Sequence, residues 1–157
     1  MHDATHYLRQ AIALAKANIA EGGRPFGAVV VSGGAVIATA VNEMHLSHDA
    51  TDHAELLALR AAARAAGPEA LQGSAVYASG HPCPMCLAAM RLAGVATVAY
   101  AYSNEDGAPF TLSTAEIYAD LRRPFAEQSM TISHVPVKPD SGRSLYEEWA
   151  QARDART

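Results

Sequence analysis

The sequence predicts an α/β protein, a three-layer α-β-α sandwich around a mixed five-stranded central sheet. Three observations predict it. Strand-like and helix-like stretches alternate from residue 74, with Ser74 to Ser79 followed by Cys83 to Ala93, and Ala96 to Tyr102 followed by Thr114 to Leu121. That alternation is the pattern of a parallel βαβ segment covered by helices. Gly33-Gly34 separates two apolar runs and reads as a hairpin turn, so antiparallel strands join the same sheet. Leu8, Ile12, Ala15 and Ile19 recur at spacings of four, three and four, the apolar stripe of an amphipathic helix over residues 4 to 20.

The elements follow in chain order. Gly22-Gly23 ends the first helix, and Pro25-Phe26-Gly27 leads into Ala28 to Val31, a β-branched run suited to a buried strand. The return strand, Ala35 to Val41, ends at Asn42, which either faces a pocket or holds local backbone as a turn residue. Glu43 to Thr51 is polar and reads as a loop. A helix then runs from His53 to Ala66, stopped by Gly67-Pro68. A last strand is expected near Met130 to Val135. The tail helix, Ser144 to Ala155, is expected to pack through Leu145, Trp149 and Ala152. Arg122-Arg123-Pro124, the densest basic spot, reads as a solvated helix end.

A chain of 157 residues with 50% hydrophobic content suffices for one sizeable core, so residues 1–157 are expected to form a single domain. The first residues lack a basic segment followed by an apolar run, and no stretch holds the roughly 18 apolar residues of a membrane span. The expectation is a soluble, cytoplasmic protein. The formal charge of -4, from 12 Lys plus Arg against 16 Asp plus Glu, supplies no global attraction for phosphate backbones. Nucleic acid is thereby demoted as a partner.

Cys83 and Cys86 are the two cysteines of the chain, three apart after Pro82. At the start of a helix their sulfurs share a face, and in a reducing compartment such a pair favours metal ligation over a disulfide. His53, at the start of the earlier helix, is the best third ligand. A Cys/Cys/His set leaves the fourth position of a tetrahedral zinc for water, which is the catalytic arrangement. Glu55, beside that water and not bound to the metal, can carry its proton. Plainer readings exist for each residue. A Cys-x-x-Cys pair also serves as a redox dithiol or half of a structural knot, and Asp52-x-x-Glu55 also reads as a capping box.

His53-Ala54-Glu55 followed by Pro82-Cys83-Pro84-Met85-Cys86 resembles the zinc-dependent deaminases of the cytidine deaminase superfamily. Within it, Gly23-Arg24-Pro25-Phe26-Gly27-Ala28, Asn42 and Pro82 to Leu87 resemble the branch of guanine and related purine deaminases. The resemblance implies a cytidine deaminase-like fold, one zinc ion per chain, a homodimer and release of ammonia from an amino-substituted heterocycle. By the same resemblance Phe26 packs on the ring face, Asn42 bonds the ring edge and the Ala54 amide reads a ring carbonyl. Phe26 is otherwise a core residue at a strand start.

Two departures bear on the substrate. Bacterial guanine deaminases usually carry glutamate where this chain has His81, and they tend to place acidic residues before a Phe-Ile-Tyr run that corresponds here to Leu112 to Tyr118. Glu116 can stand in if the helix begins at Ser113. The aromatic residue that some members supply at the extreme C-terminus has no counterpart in Asp154-Ala155-Arg156-Thr157. The expected substrate is a guanine-like purine base or nucleoside, or a related pterin or aminotriazine. One rival is a tRNA-specific adenosine deaminase, which calls for a basic segment where this chain reads Ser103-Asn104-Glu105-Asp106-Gly107. The other is a catalytically silent zinc-binding scaffold.

Overall fold

The computed structural model describes residues 3–157. The first helix, α1 (Ala4–Ala20), begins at Asp3, whose Oδ1 accepts the His6 amide at 3.1 Å. Such a cap contributes about 1 kcal/mol. The buried face of α1 is Tyr7, Ala11, Ala15 and Asn18. The expected stripe is therefore rotated, and Ile19 is 54% exposed.

Strands β1 (Gly27–Ser32) and β2 (Ala35–Val41) form the antiparallel hairpin. Its turn places Gly33 at φ 58° and Gly34 at φ 78°, the paired positive values that a tight hairpin matched to strand twist requires. The polar stretch after Asn42 is not all loop, since α2 (Met44–Ser47) makes one helical turn. Helix α3 (Ala54–Ala66) ends at Gly67 and passes through a 3-10 turn, Pro68–Leu71, to β3 (Ala75–Gly80). Helix α4 (Pro84–Ala93) and β4 (Thr97–Tyr102) complete the βαβ unit. Two short turns, α5 (Asn104–Gly107) and the 3-10 segment Ala108–Phe110, precede α6 (Ala115–Leu121). Residues expected as the first of a helix at His53, Cys83, Thr114 and Ser144 are in each case its N-cap.

The sheet has four strands in the order β2-β1-β3-β4, with β3 and β4 parallel and the other pairs antiparallel. Alternation along β1 splits the core. Ala28 and Val30 join Val76, Leu59 and Met90 under α3 and α4, while Val29 and Val31 join Tyr7 and Ala11 under α1. Helices thus cover both faces.

The fifth strand expected near Met130 to Val135 does not form. Those residues carry no strand assignment, and Met130 and Val135 are 59% and 71% exposed. A strand needs a ladder partner, and none is present among the described residues.

The chain divides into two compact units, the first ending at Arg122 and the second running from Arg123 to Thr157. The second consists of a 3-10 turn, Phe125–Glu127, an irregular run and α7 (Leu145–Arg156), capped by Ser144. Leu145 and Trp149, expected to pack inward, are 62% and 61% exposed. Arg122, Arg123 and Pro124 are exposed at the end of α6, as a solvated helix end should be.

Candidate active site

His53 and Cys83 occupy the same position in two helices. His53 is the N-cap of α3 and Cys83 that of α4, and the carbonyl of each accepts the first helical bond, from Leu57 and Leu87. Both backbones are extended there, at φ -80° and -72°, so the chain arrives from a loop and turns its side chain toward the helix end. The expected capping box at Asp52 and Glu55 is not made. Asp52 instead pairs with Arg60 at 3.7 Å, and the Glu55 side chain turns inward.

Cys83 Sγ lies 3.4 Å and Cys86 Sγ 3.7 Å from His53 Nδ1. The three donor atoms fall within 4.8 Å of one another, and Cys86 is wholly buried. Tetrahedral zinc with ordinary bond lengths would set sulfur and nitrogen about 3.6 Å apart. The spacing and the donor types therefore fit zinc.

The electrostatics suit the same ion. Helix N-termini present unpaired amides and a partial positive charge, and the Cys86 amide donates to Cys83 Sγ at 3.5 Å. Hydrogen bonding from the Cys86 thiol, joined by the His53 ring, holds the Cys83 thiol down at about 4. The same thiol contact, with burial, pushes Cys86 up. The bond to Cys83 raises the His53 imidazole. Protons shared among closely packed donors are what a metal displaces on binding.

Glu55, in the first turn of α3, is only 6% exposed, and burial raises its carboxyl above the usual carboxylate range. It faces a cavity of about 250 Å³ that is also lined by Phe26, Asn42, His53, His81 and Cys83. Six of the expected site residues thus meet in one space, while Ala54 and Cys86 are fully buried beside it. A larger apolar groove of about 710 Å³ adjoins through Phe26, His81 and Leu112 and contains none of the three metal donors.

Asn42 is 2% exposed. Its amide N–H donates to the Phe26 carbonyl at 3.1 Å, and its Oδ1 accepts the Met44 amide at 3.1 Å. Since only an oxygen can accept there, the side chain turns its NH2 group toward the cavity. His81 is bracketed by two rings, its centroid 4.7 Å from Tyr100 and 5.5 Å from Tyr118. The Tyr118 hydroxyl donates to the Pro82 carbonyl, immediately before Cys83.

Leu112, Ser113, Thr114 and Ile117, from the stretch whose departure bears on the substrate, line the cavity together with Thr111; sequence reasoning gave Arg24 no role although it lines the cavity too. The helix begins at Ala115 with Thr114 as its N-cap, so the start at Ser113 that would bring Glu116 into play is not met. Glu116 is exposed and is not among the residues lining the cavity, so it does not replace the missing carboxylate. No periodicity marks a coil wall; the Gly23-Arg24-Pro25 motif was the one available signal for Arg24.

Two thiols and an imidazole on helix ends, with a buried carboxyl beside them and a cavity in front, define a zinc-dependent hydrolytic enzyme. The family described as the cytidine and deoxycytidylate deaminase zinc-binding region matches residues 1–102, and the chain belongs to this family. It is 37% identical to the guanine deaminase of Bacillus subtilis over 82% of this chain and 83% of that protein. It is 35% identical to the tRNA-specific adenosine deaminase of Agrobacterium fabrum over 68% of this chain and 70% of that one. The X-ray structure of guanine deaminase from Bacillus subtilis superposes with a TM-score of 0.80 at 32% identity, covering 99% of this chain and 94% of that chain. The protein is a zinc-dependent hydrolytic deaminase with one zinc, for which His53, Cys83 and Cys86 form the candidate site.

Proposed function

We propose that the protein deaminates a free purine base, with guanine the first candidate. The observation that carries this reading is the buried Glu55 beside three zinc donors at the floor of a small cavity. At about 250 Å³ that cavity is below the roughly 300–1,000 Å³ of drug-sized ligand sites, which favours a base over a nucleoside. The likeness to Bacillus subtilis guanine deaminase supports the same substrate class.

Bound zinc, held by His53, Cys83 and Cys86, supplies a Lewis acid that brings the ionisation of water toward neutral pH. Glu55 takes one proton from the attacking water and delivers it to a ring nitrogen, then carries the second, from the hydroxyl of the adduct, to the leaving amine. Its raised affinity for protons suits both halves of that transfer. Phe26 covers the ring face. The Asn42 NH2 group donates to a carbonyl or unprotonated nitrogen on the ring edge, and the Ala54 amide, at the start of α3, reads a ring carbonyl. His81, fixed by Tyr100 and Tyr118, stands at the cavity edge where a carboxylate would otherwise contact guanine.

The family resemblance supports a homodimer, and the length and composition of the chain support action of residues 1–157 as one deaminase domain. No helix among the described residues is long and apolar enough to cross a membrane.

An ammonia-release screen across purines, pterins, pyrimidines and triazines tests the reading. Turnover of guanine or another aminopurine is expected. Turnover confined to pterins or triazines would move the substrate, and zinc-loaded protein releasing ammonia from nothing would favour the silent scaffold. A tRNA adenosine deaminase is the second reading, favoured by relatives such as the Agrobacterium enzyme. Against it, Ser103 to Asp106 form an acidic, self-capped turn where a basic segment would serve tRNA. Tight, salt-sensitive tRNA association would reverse the choice.

A further inference from the structure

We propose that Asn18, on α1 and outside the catalytic cavity, is a positioning residue that holds Asn42 and Arg24 where they line it; this rests on the reading of Asn42 as a substrate contact. Asn18 occupies the place in the Tyr7, Ala11, Ala15 face where an apolar residue would continue the core, yet it is polar and 5% exposed. A buried amide is costly unless both its hydrogens find acceptors. Here they do. Nδ2 donates to the Arg24 carbonyl at 2.8 Å and to the Asn42 carbonyl at 2.9 Å.

The two acceptors flank the open end of the hairpin. Arg24 precedes β1 and Asn42 follows β2, so a single NH2 group ties the two mouths of the hairpin to one point on α1. The Asn18 carbonyl adds a third tie by accepting the Gly23 amide at 2.9 Å. Gly23 closes the cradle. A Cβ there would sit 2.5 Å from Asn18 Nδ2 and 2.6 Å from His45 Cε1, so any larger residue displaces the amide.

Asn42 transmits the hold. With its carbonyl pinned by Asn18, its N–H on Phe26 and its Oδ1 on Met44, the one polar group it can aim is the NH2 facing the cavity. Asn18 therefore sets the direction of a donor it does not contact through its own side chain. Small misplacements of such groups cost rate out of proportion to their effect on stability.

The test uses the full-length, zinc-loaded protein with guanine as probe. Asn18→Ala and Gly23→Ala are each made alone and in an Asn42→Ala background. Each alone should raise KM more than it lowers kcat, with kcat/KM falling about tenfold. In the Asn42→Ala background the same changes should alter kcat/KM by less than about twofold, because the donor they aim is gone. In substrate-free protein the Met44 amide resonance should move and exchange faster in both single variants. Gly23→Ala keeps Asn18 itself and decides the matter if Asn18→Ala does not fold. An equal tenfold loss in both backgrounds would make Asn18 a general structural clamp and overturn the proposal, as would unchanged kinetics with an unmoved Met44 amide. Failure of the parent to turn over guanine would defeat the guanine reading alone, and the Met44 amide would then decide.

Discussion

On one side of the catalytic cavity, His53, Glu55 and Cys83 stand on the first turns of α3 and α4, with Asn42 closing β2; Glu55, Cys83 and Asn42 are each 6% exposed or less. On the other side, residues 111–117 run from a 3-10 turn through coil into α6, with Thr111 at φ 59° and Ile117 52% exposed. That second wall is tied down mainly through α5, where the Asn104 side chain accepts the Thr114 amide at 3.1 Å. The first side is fixed by sheet and helix packing, and the second by a few part-buried hydrogen bonds. The candidate metal and proton-carrying groups lie on the packed side, and loop walls of this kind tolerate the changes that redirect substrate choice.

The contrast predicts unequal sensitivities. Cys86→Ser should have the largest effect, with metal analysis showing less than one zinc per chain. Turnover should then fall well beyond the about 10–100-fold that outer partners of metal ligands are worth. Asn42→Asp keeps the size but replaces a donor with an acceptor, and kcat/KM for guanine should drop by about 10²-fold with zinc retained. A preserved rate would remove Asn42 from recognition.

His81→Glu places a carboxylate at the cavity edge. Guanine kcat/KM should rise relative to other aminoheterocycles by about tenfold, measured in competition, because a matched polar contact discriminates strongly. No change in preference would mean that the Tyr100 and Tyr118 bracket, and not the residue at 81, sets the edge. The smallest effect belongs to the second wall. A β-branched residue in the left-handed region is strained, so Thr111→Asn should raise stability by about 0.5–1 kcal/mol in a denaturant titration. It should leave zinc content unchanged.

The first side of the cavity was readable from residue order; the second was marked only by resemblance at Leu112 to Tyr118, with no pattern to give its conformation. Cysteines at i and i+3 after a proline, and a histidine two before a glutamate, have few uses, and each falls where a helix begins. The four observed strands were visible because glycine turns and β-branched runs bound them. What periodicity could not supply was a partner. Met130 to Val135 is expected as a strand, yet no ladder among the described residues accepts it. The stripe on α1 misled for a related reason. Of the expected face Leu8, Ile12, Ala15 and Ile19, only Ala15 is buried, and Tyr7 and Ala11 are the residues that pack against Val29 and Val31 of the sheet. Asn18 was invisible, since its partners are backbone carbonyls 6 and 24 residues away.

The central claim is that Glu55 moves protons at a zinc site it does not help to hold. The direct measurement is kcat for ammonia release by Glu55→Gln at a verified one zinc per chain, beside the parent on the same substrate. A fall of about 10²–10⁴-fold with zinc and KM little changed is the expected result. Undiminished turnover would contradict it, and loss of zinc together with activity would place Glu55 among the groups that hold the metal.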